Sequence, residues 1–450
     1  MSASLPSTPG AGSTIAAIAT GPAPGGVGIV RVSGPDAWEV VRPLVRGLPS
    51  EPEPRRAHFC ELASRDGSVL DRGLVLVFRA PASFTGEDVV ELQAHGGPRL
   101  LAMLLREVLL DCRARLAEPG EFTRRAFMNG RIDLQRAEAV GALVAAESEA
   151  AVRAAAAQLA GGLSSRLSAL KRPLLALHTD LEGVLNFPDE AEGADEGLEE
   201  RLTPLVAEAR ALVSDAGRGA LLRRGARVAL FGPVNAGKST LFNRLVGAER
   251  ALVDDEPGTT RDVLEARVEV EGVSWTLLDT AGLRESPGRI EGLGIARAQE
   301  AVRSADLAVL LLPPDALPHS VELWRRWAGP EVPVLTVRGK ADAAAADVGA
   351  ELSVSGLSGE GVAELLRAIS TQLMAGGAAG AAVLVSDRHM DALSRTSDSL
   401  ERALEASRVS TLEVVAGELA LASEALAEVS GERAGDEVLE ELFRRFCIGK

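Results

Sequence analysis

The sequence predicts an α/β-plus-α protein: a mixed α+β N-terminal region, then a helical domain interrupted by an inserted Ras-like nucleotide-binding domain. Three observations carry this. Leu159, Leu163, Leu167, Leu170, Leu174, Leu177 and Leu181 step by three or four, which places them on one face of a long helix. From about residue 224 to 377 apolar strands alternate with helices, and "RVALFGPVNAGKST" opens that stretch. Beyond the "AGGAAGAA" segment, Leu412, Val415, Leu419, Ala422 and Leu426 restore the helical period.

In chain order, residues 1–127 read as short strands and loops, including "GIVRVSG" and "LVLVF", with one helix near 99–110. Residues 128–222 form the first helical part, 223–377 the inserted domain, and 378–450 the second helical part ending in "FCIGK". Two independent helical pieces are the alternative arrangement. The chain has 450 residues, of which 46% are hydrophobic and 25% charged, ordinary values for a soluble globular protein. No apolar run approaches the ~18 residues of a membrane span, and no Lys or Arg precedes Arg31, so neither a span nor a signal peptide is expected. Cys60, Cys112 and Cys447 make no CxxC pair, which favours a reducing cytoplasm. The net charge of −16 and an aromatic content of 3% argue against a sequence-blind nucleic-acid coat and an extended base-stacking platform, and leave room for a local basic patch or a partner that supplies one. The five histidines are scattered and form no metal motif. Among 48 basic residues only Lys171, Lys238, Lys340 and Lys450 are lysines. A lysine kept in so arginine-rich a chain marks a place where a slim ammonium works and a planar guanidinium does not.

Gly232, Gly237, Lys238 and Ser239 fit GxxxxGK[ST] between a strand and a helix, the context that motif requires. Its backbone N–H groups and the helix N-terminus receive phosphate oxygens. Lys238 is expected to bridge the β- and γ-phosphates and the Ser239 hydroxyl to ligate Mg²⁺. "PGTTRD" supplies Thr260 for the same ion, and "LLDTAG" supplies Asp279, holding Mg²⁺ through water, and Gly282, whose N–H meets the γ-phosphate. The position of the water-orienting glutamine holds Leu283, so catalytic assistance has to come from another residue, another subunit or an ion.

"TVRGKAD" stands where a guanine-reading domain carries Asn-Lys-x-Asp, with Gly339 in place of the asparagine. Asp342 can accept from the guanine ring N–H and exocyclic amine, which adenine does not present there. The Lys340 stem can lie over the base. Loss of the asparagine removes about 1–2 kcal/mol of hydrogen bonding and weakens binding more than it blurs specificity. "VSGLSG" at 354–359 can add backbone N–H groups to guanine O6. A guanine site is the expectation; a decayed or ATP-using site is the alternative.

The chain resembles the MnmE (TrmE) family of bacterial tRNA-modifying GTPases, nearly end to end. The resemblance is carried by "TIAAIAT…GGVGIVRVSG", "SFTGEDVVELQAHGG", "PGEFTRRAFMNGRIDLQRAEA", "GPVNAGKST", "GTTRD", "DTAGLRE" and "FCIGK". It implies a homodimer joined through an N-terminal folate-binding-like domain that holds a tetrahydrofolate derivative, 5-formyl or 5,10-methylene. It implies a partner, the flavoprotein MnmG (GidA), which carries the FAD in a heterotetrameric or larger complex. With tRNA as substrate, the two install an aminomethyl or carboxymethylaminomethyl group on carbon 5 of the wobble uridine. It also implies GTP hydrolysis activated by K⁺ across dimerised G domains, which answers the Leu283 question.

Carried over residue by residue, the resemblance makes Asn235 and Thr259 K⁺ ligands and Thr260 a Mg²⁺ ligand. Asp254 and Glu256 fall in the K⁺ loop, where the family more often has Thr and an apolar residue; their carbonyls remain candidate ligands. Nucleotide contacts are expected from Asn235, Ala236, Gly237, Lys238, Ser239 and Thr240, and from Asp254, Asp255, Glu256, Pro257, Gly258, Thr259 and Thr260. Asp279, Thr280, Ala281, Gly282, Gly339, Lys340, Ala341, Asp342, Ser355, Gly356 and Leu357 complete that set. Glu291 matches the glutamate that orients the attacking water through a second water, and Cys447 a cysteine used in the modification. Arg31, Glu91, Arg131 and Lys450 match folate positions, Arg131 standing where Lys is common. Without the family, Glu291, Arg31, Glu91 and Arg131 read as solvated charges and Cys447 as a small buried hydrophobe. Two further readings remain: a GTP-dependent dimerisation switch with no part in modification, and a one-carbon transferase with a vestigial G domain.

Overall fold

Alternating burial along the N-terminal strands and a continuous apolar run in the central ones produce two different sheets. A computed structural model describes residues 12–187, 196–248, 264–270, 272–280, 291–343, 349–374, 386–431, 440, 442–444, 446 and 448–449. The chain divides into two compact units, Met1–Gly141 with Ser430–Lys450, and Ala142–Val429.

The first unit contains β1 (Thr14–Ile18), β2 (Gly25–Ser33), α1 (Ala37–Val41), β3 (Val45–Arg46), β4 (His58–Ala63), β5 (Val69–Phe78) and β6 (Val89–Gly96), then α2 (Pro98–Leu109), β7 (Ala114–Leu116) and α3 (Glu121–Met128). Its seven strands lie in the order β3-β4-β5-β6-β2-β1-β7. All pairs are antiparallel except β1 with β7. One face is apolar: Val30, Val32, Val75, Val77, Val90 and Leu92 pack on Val40, Leu104 and Val108 of α1 and α2. On the other face the register sets Arg31 opposite Glu91. The period of two thus sends core residues one way and charged ones the other. The helix expected near 99–110 is α2.

α4 (Leu134–Ala145) leads to the second unit, where α5 (Glu149–Leu159), α6 (Gly162–Asn186) and α7 (Leu198–Arg224) precede the inserted sheet. The leucine ladder does not lie on one helix. Leu159 closes α5, and Gly161 at φ +96 is the N-cap of α6. The left-handed backbone at Gly161 breaks the helix while the three-to-four spacing runs on across the break. Leu163, Leu167, Leu170, Leu174, Leu177 and Leu181 are all buried. They pack with Leu202, Leu205 and Leu212 of α7, and with Leu393 and Leu400 of α12 (Asp387–Val409) and Leu419 and Leu426 of α13 (Leu412–Ser430).

Between α7 and α12 lies a six-stranded sheet of order β13-β12-β11-β8-β10-β9. Its elements are β8 (Ala226–Phe231), α8 (Lys238–Ala248), β9 (Leu264–Val270), β10 (Val273–Asp279), α9 (Glu291–Arg303), β11 (Leu307–Leu312), α10 (Pro318–Arg325), β12 (Val334–Arg338), β13 (Leu352–Ser353) and α11 (Val362–Leu373). Only β9 runs antiparallel. Val228, Leu230, Val309 and Leu311 face one core, and Ala229, Phe231, Leu310 and Leu312 the other. Burial on both faces explains why these strands read as unbroken apolar runs. The strand order reverses at β8, which puts the crevice for a ligand at that strand's carboxyl end. The helical elements also meet this sheet directly: the N–H of Ala150 in α5 donates to Gly272 O at 3.0 Å in the β9–β10 turn, Arg224 of α7 pairs with Asp306, and Ala154, Ala155 and Leu222 join the core beneath the sheet.

Candidate functional site

The loop after β8 is shaped by backbone that few residues tolerate. Gly232 sits at φ +141, and a Cβ there would lie 2.2 Å from Leu311 O. Gly237 (φ +97) and Asn235 (φ +63) are also left-handed, which asparagine accepts better than most residues. These turns wrap the chain so that α8 begins at Lys238. Lys238 is 8% exposed, and its ammonium donates to Gly232 O at 3.1 Å and Pro233 O at 2.8 Å. It is thereby held over the loop whose N–H groups would meet phosphate oxygens. The Ser239 hydroxyl donates to Asp279 Oδ2 at 3.3 Å, so a hydroxyl and a buried carboxylate from separate elements meet at the head of α8. This all-oxygen pair suits Mg²⁺, which takes few protein ligands beside phosphates and water. Thr280 is tied down by its hydroxyl and N–H to Leu230 O, at 3.0 and 3.3 Å.

A cleft of ≈ 160 Å³ opens beside the loop, lined by Ala236, Gly237, Thr240, Gly339, Lys340, Asp342, Ser355, Gly356 and Leu357 among others. It gathers side chains from three separate motifs at the ends of β8, β12 and β13. Lys340 adopts φ +56, and the N–H groups on either side of it are engaged: Gly339 N with Leu312 O at 2.7 Å, Ala341 N with Val354 O at 3.0 Å. The Ser355 hydroxyl, the Asp342 backbone N–H and the nearby Lys340 charge hold the Asp342 carboxyl below its ordinary value of 3.8. It is an ionised acceptor at neutral pH. The motif reading took "VSGLSG" for its backbone alone and missed the role of the Ser355 side chain. It also missed Arg244, whose guanidinium donates to Gly356 O at 3.0 Å and to Leu357 O. An arginine on a helix carries no motif that signals such a brace.

Gly339 is more than a missing amide. A Cβ at this position would lie 2.6 Å from Ala236 O and 3.3 Å from Leu311 Cδ1. The phosphate loop's carbonyl therefore rests directly on the backbone of the base-reading strand end.

In the first unit, the Arg31 Nε donates to Glu91 Oε1 at 2.9 Å and its Nη1 to Gly449 O at 3.4 Å. Its guanidinium also lies 5.7 Å from the Phe122 ring centroid of α3, within cation–π range. Two strands, a helix and the chain's C-terminal segment thus converge on one half-buried arginine. The Arg131 stem lies against Gly86, where an added Cβ would meet Arg131 Cγ at 3.1 Å.

Residues 14–131 match the family model described as GTP-binding protein TrmE N-terminus, and residues 134–447 match that of the MnmE helical domain. The chain belongs to the MnmE family. A protein of Myxococcus xanthus named tRNA modification GTPase MnmE is 62% identical over 97% of this chain and 99% of its own. The MnmE of Thiobacillus denitrificans is 46% identical over 97% of this chain and 98% of its own. Among solved structures, the G domain of the T. maritima FeoB iron transporter is 29% identical and covers 32% of this chain and 96% of its own, with a TM-score of 0.26.

Of the residues that the MnmE resemblance singles out, Asp254, Asp255, Glu256, Pro257, Gly258, Thr259, Thr260, Ala281, Gly282, Cys447 and Lys450 lie outside the described residues, as does Leu283. Glu291 opens α9. Among the described residues no three His, Cys, Asp or Glu side chains gather to hold a metal ion, and no helix is long and apolar enough to cross a membrane.

Proposed function

We propose that this chain is a K⁺-activated GTPase which, with a flavoprotein partner of the MnmG type, modifies carbon 5 of the wobble uridine of certain tRNAs. Its membership of a family of tRNA modification GTPases supports GTP hydrolysis and tRNA as the substrate class. The single observation that carries the guanine reading is the cleft that the ionised Asp342 lines together with Gly339 and the phosphate-loop residues Ala236 and Gly237. The N–H groups of Leu357 and Ser358 donate to Ser355 Oγ at 3.2 and 3.0 Å. That arrangement leaves the Gly356 N–H as the donor this turn can aim at guanine O6.

In this reading Ser239 and Thr260 would hold Mg²⁺, with the Asp279 carboxylate acting through water, and the ion would supply charge neutralisation at the phosphates. Asn235, Thr259 and the carbonyls of Asp254 and Glu256 are the set we assign to K⁺, a positive charge that Leu283 cannot supply. Lys238 exchanges its two loop carbonyls for phosphate oxygens, and Glu291 orients the attacking water. Arg31, Glu91, Arg131 and Lys450 bind a tetrahydrofolate: a carboxylate such as Glu91 suits the guanine-like edge of a pterin, and cations suit its glutamate tail. Cys447 takes part in the modification. Arg31 meeting both Glu91 and Gly449 supports this over a pure dimerisation switch, which has no use for a folate pocket. The working form is a homodimer in the cytoplasm.

Hydrolysis of GTP and ATP in KCl and in NaCl tests the proposal. GTP turnover that requires K⁺, with ATP turned over at least tenfold more slowly, is the expected result. Equal turnover of both nucleotides, or indifference to the cation, would overturn it.

A further inference from the structure

The motifs "SFTGEDVVELQAHGG" and "EFTRRAF" contain more charge than the folate reading uses, and the structure collects that surplus in one place. The Glu87 carboxylate accepts from Arg125 Nη1 at 3.0 and 3.1 Å and from the Ser33 hydroxyl at 2.7 Å. Because the one Ser33 proton goes to Glu87, the Thr85 hydroxyl donates to Ser33 Oγ, at 2.8 Å. Arg125 is further held by Glu121 Oε1 at 2.9 Å and by Ser13 O at 2.9 Å. Arg125 and Glu87 side chains are only 11% and 21% exposed. A charge-assisted network so shielded is stiff, since losing a partner would leave a buried group unsatisfied.

What it ties together matters more than its strength. Ser33 lies on β2 two residues beyond Arg31, hence on the same strand face. Arg125 lies on α3 one turn beyond Phe122, the ring beneath Arg31. The 83–88 loop that carries Glu87 also carries Thr85, whose carbonyl accepts from Asn129 Nδ2 at 2.7 Å, and Gly86, against which the Arg131 stem lies. One carboxylate therefore joins the strand that carries Arg31, the helix that supports it, and the loop that backs Arg131.

We propose that Glu87 is a positioning residue for the tetrahydrofolate site, fixing Arg131 relative to Arg31 without touching the ligand. The proposal rests on the folate reading of Arg31, Glu91 and Arg131. The test is calorimetric titration of the full-length protein with 5-formyltetrahydrofolate, using wild type, Glu87→Gln, Arg131→Ala and the double variant, with GTP hydrolysis measured alongside. Glu87→Gln is expected to bind about tenfold more weakly with unchanged GTP hydrolysis. The double variant is expected to bind as Arg131→Ala does, because a residue that acts through Arg131 has nothing left to position. Losses that add, or a Glu87→Gln variant that binds like wild type, would overturn the positioning role while leaving the folate site standing. A wild type that binds no folate, or an Arg131→Ala variant that binds as well as wild type, overturns the site reading and this proposal with it. Should Glu87→Gln fail to fold, Ser33→Ala removes one anchor of the same carboxylate. It is read by the same cycle: weaker binding that Arg131→Ala abolishes upholds the role, and unchanged binding ends it.

Discussion

Gly339 shows how one residue can be both a loss and a fit. By chemistry alone, restoring asparagine adds a hydrogen-bond donor and strengthens binding by about 1–2 kcal/mol. By geometry it does the opposite, because any Cβ at 339 falls 2.6 Å from the Ala236 carbonyl and the backbone of the phosphate loop has to move. Steric displacement of a loop that aims several N–H groups at phosphate outweighs one added bond. Gly339→Asn and Gly339→Ala are both expected to weaken binding of a fluorescent GTP analogue, by about threefold to thirtyfold. Tighter binding by Gly339→Asn would show that the loop yields at no cost. The sequence made position 339 conspicuous by departing from a pattern. It could not show the Ala236 contact, which joins residues a hundred positions apart.

At the scale of elements, α3 and α6 are stabilised by opposite means. Burial raises the Glu121 carboxyl, but hydrogen bonds from Arg115, the Glu118 N–H and Arg125 outweigh it and hold the group below its ordinary 4.5. A depressed folded-state value contributes stability that is fully present above 4.5 and lost as pH falls through the lower folded value. Glu121→Gln is therefore expected to cost about 1–3 kcal/mol at neutral pH. The gap in urea midpoint from wild type should narrow once the pH drops below 4.5, and a gap independent of pH would mean that charge is irrelevant there. In α6 the burden falls on packing: Leu174 is fully buried among α6, α7, α12 and α13. Leu174→Ala is expected to lower stability by about 2–5 kcal/mol, read from denaturant unfolding. The leucine ladder was legible because burial repeats with the helix turn, and β8 was legible because both its faces are covered. The Glu121, Arg125 and Glu87 cluster was not. Each is an unremarkable charge in the text, and only the fold brings Glu87 to 3.0 Å from the Arg125 that Glu121 also holds, at 2.9 Å.

For the whole molecule, the net charge of −16 bears on the substrate. A polyanion binds by neutralising phosphates with arginine and lysine, and this chain has an excess of acid. The isolated protein is expected to bind tRNA only in the non-specific range, about 10⁻⁴–10⁻⁶ M, with the basic surface supplied by the flavoprotein we propose as its partner. Tight, sequence-selective retention of tRNA in a gel-shift assay would contradict this.

The four-helix packing of α6, α7, α12 and α13 has a consequence for how the protein is made. On the ribosome, the leucine faces of α6 and α7 emerge before the inserted sheet and wait for α12 and α13 to cover them. Until then they are exposed apolar surface of the kind that aggregates or engages chaperones. If the inserted domain folds while the chain is still growing, it becomes a compact tether rather than a long floppy loop, and closing the bundle across it costs less entropy. In that case the nucleotide domain, besides its own chemistry, brings together the helices that flank it in the chain.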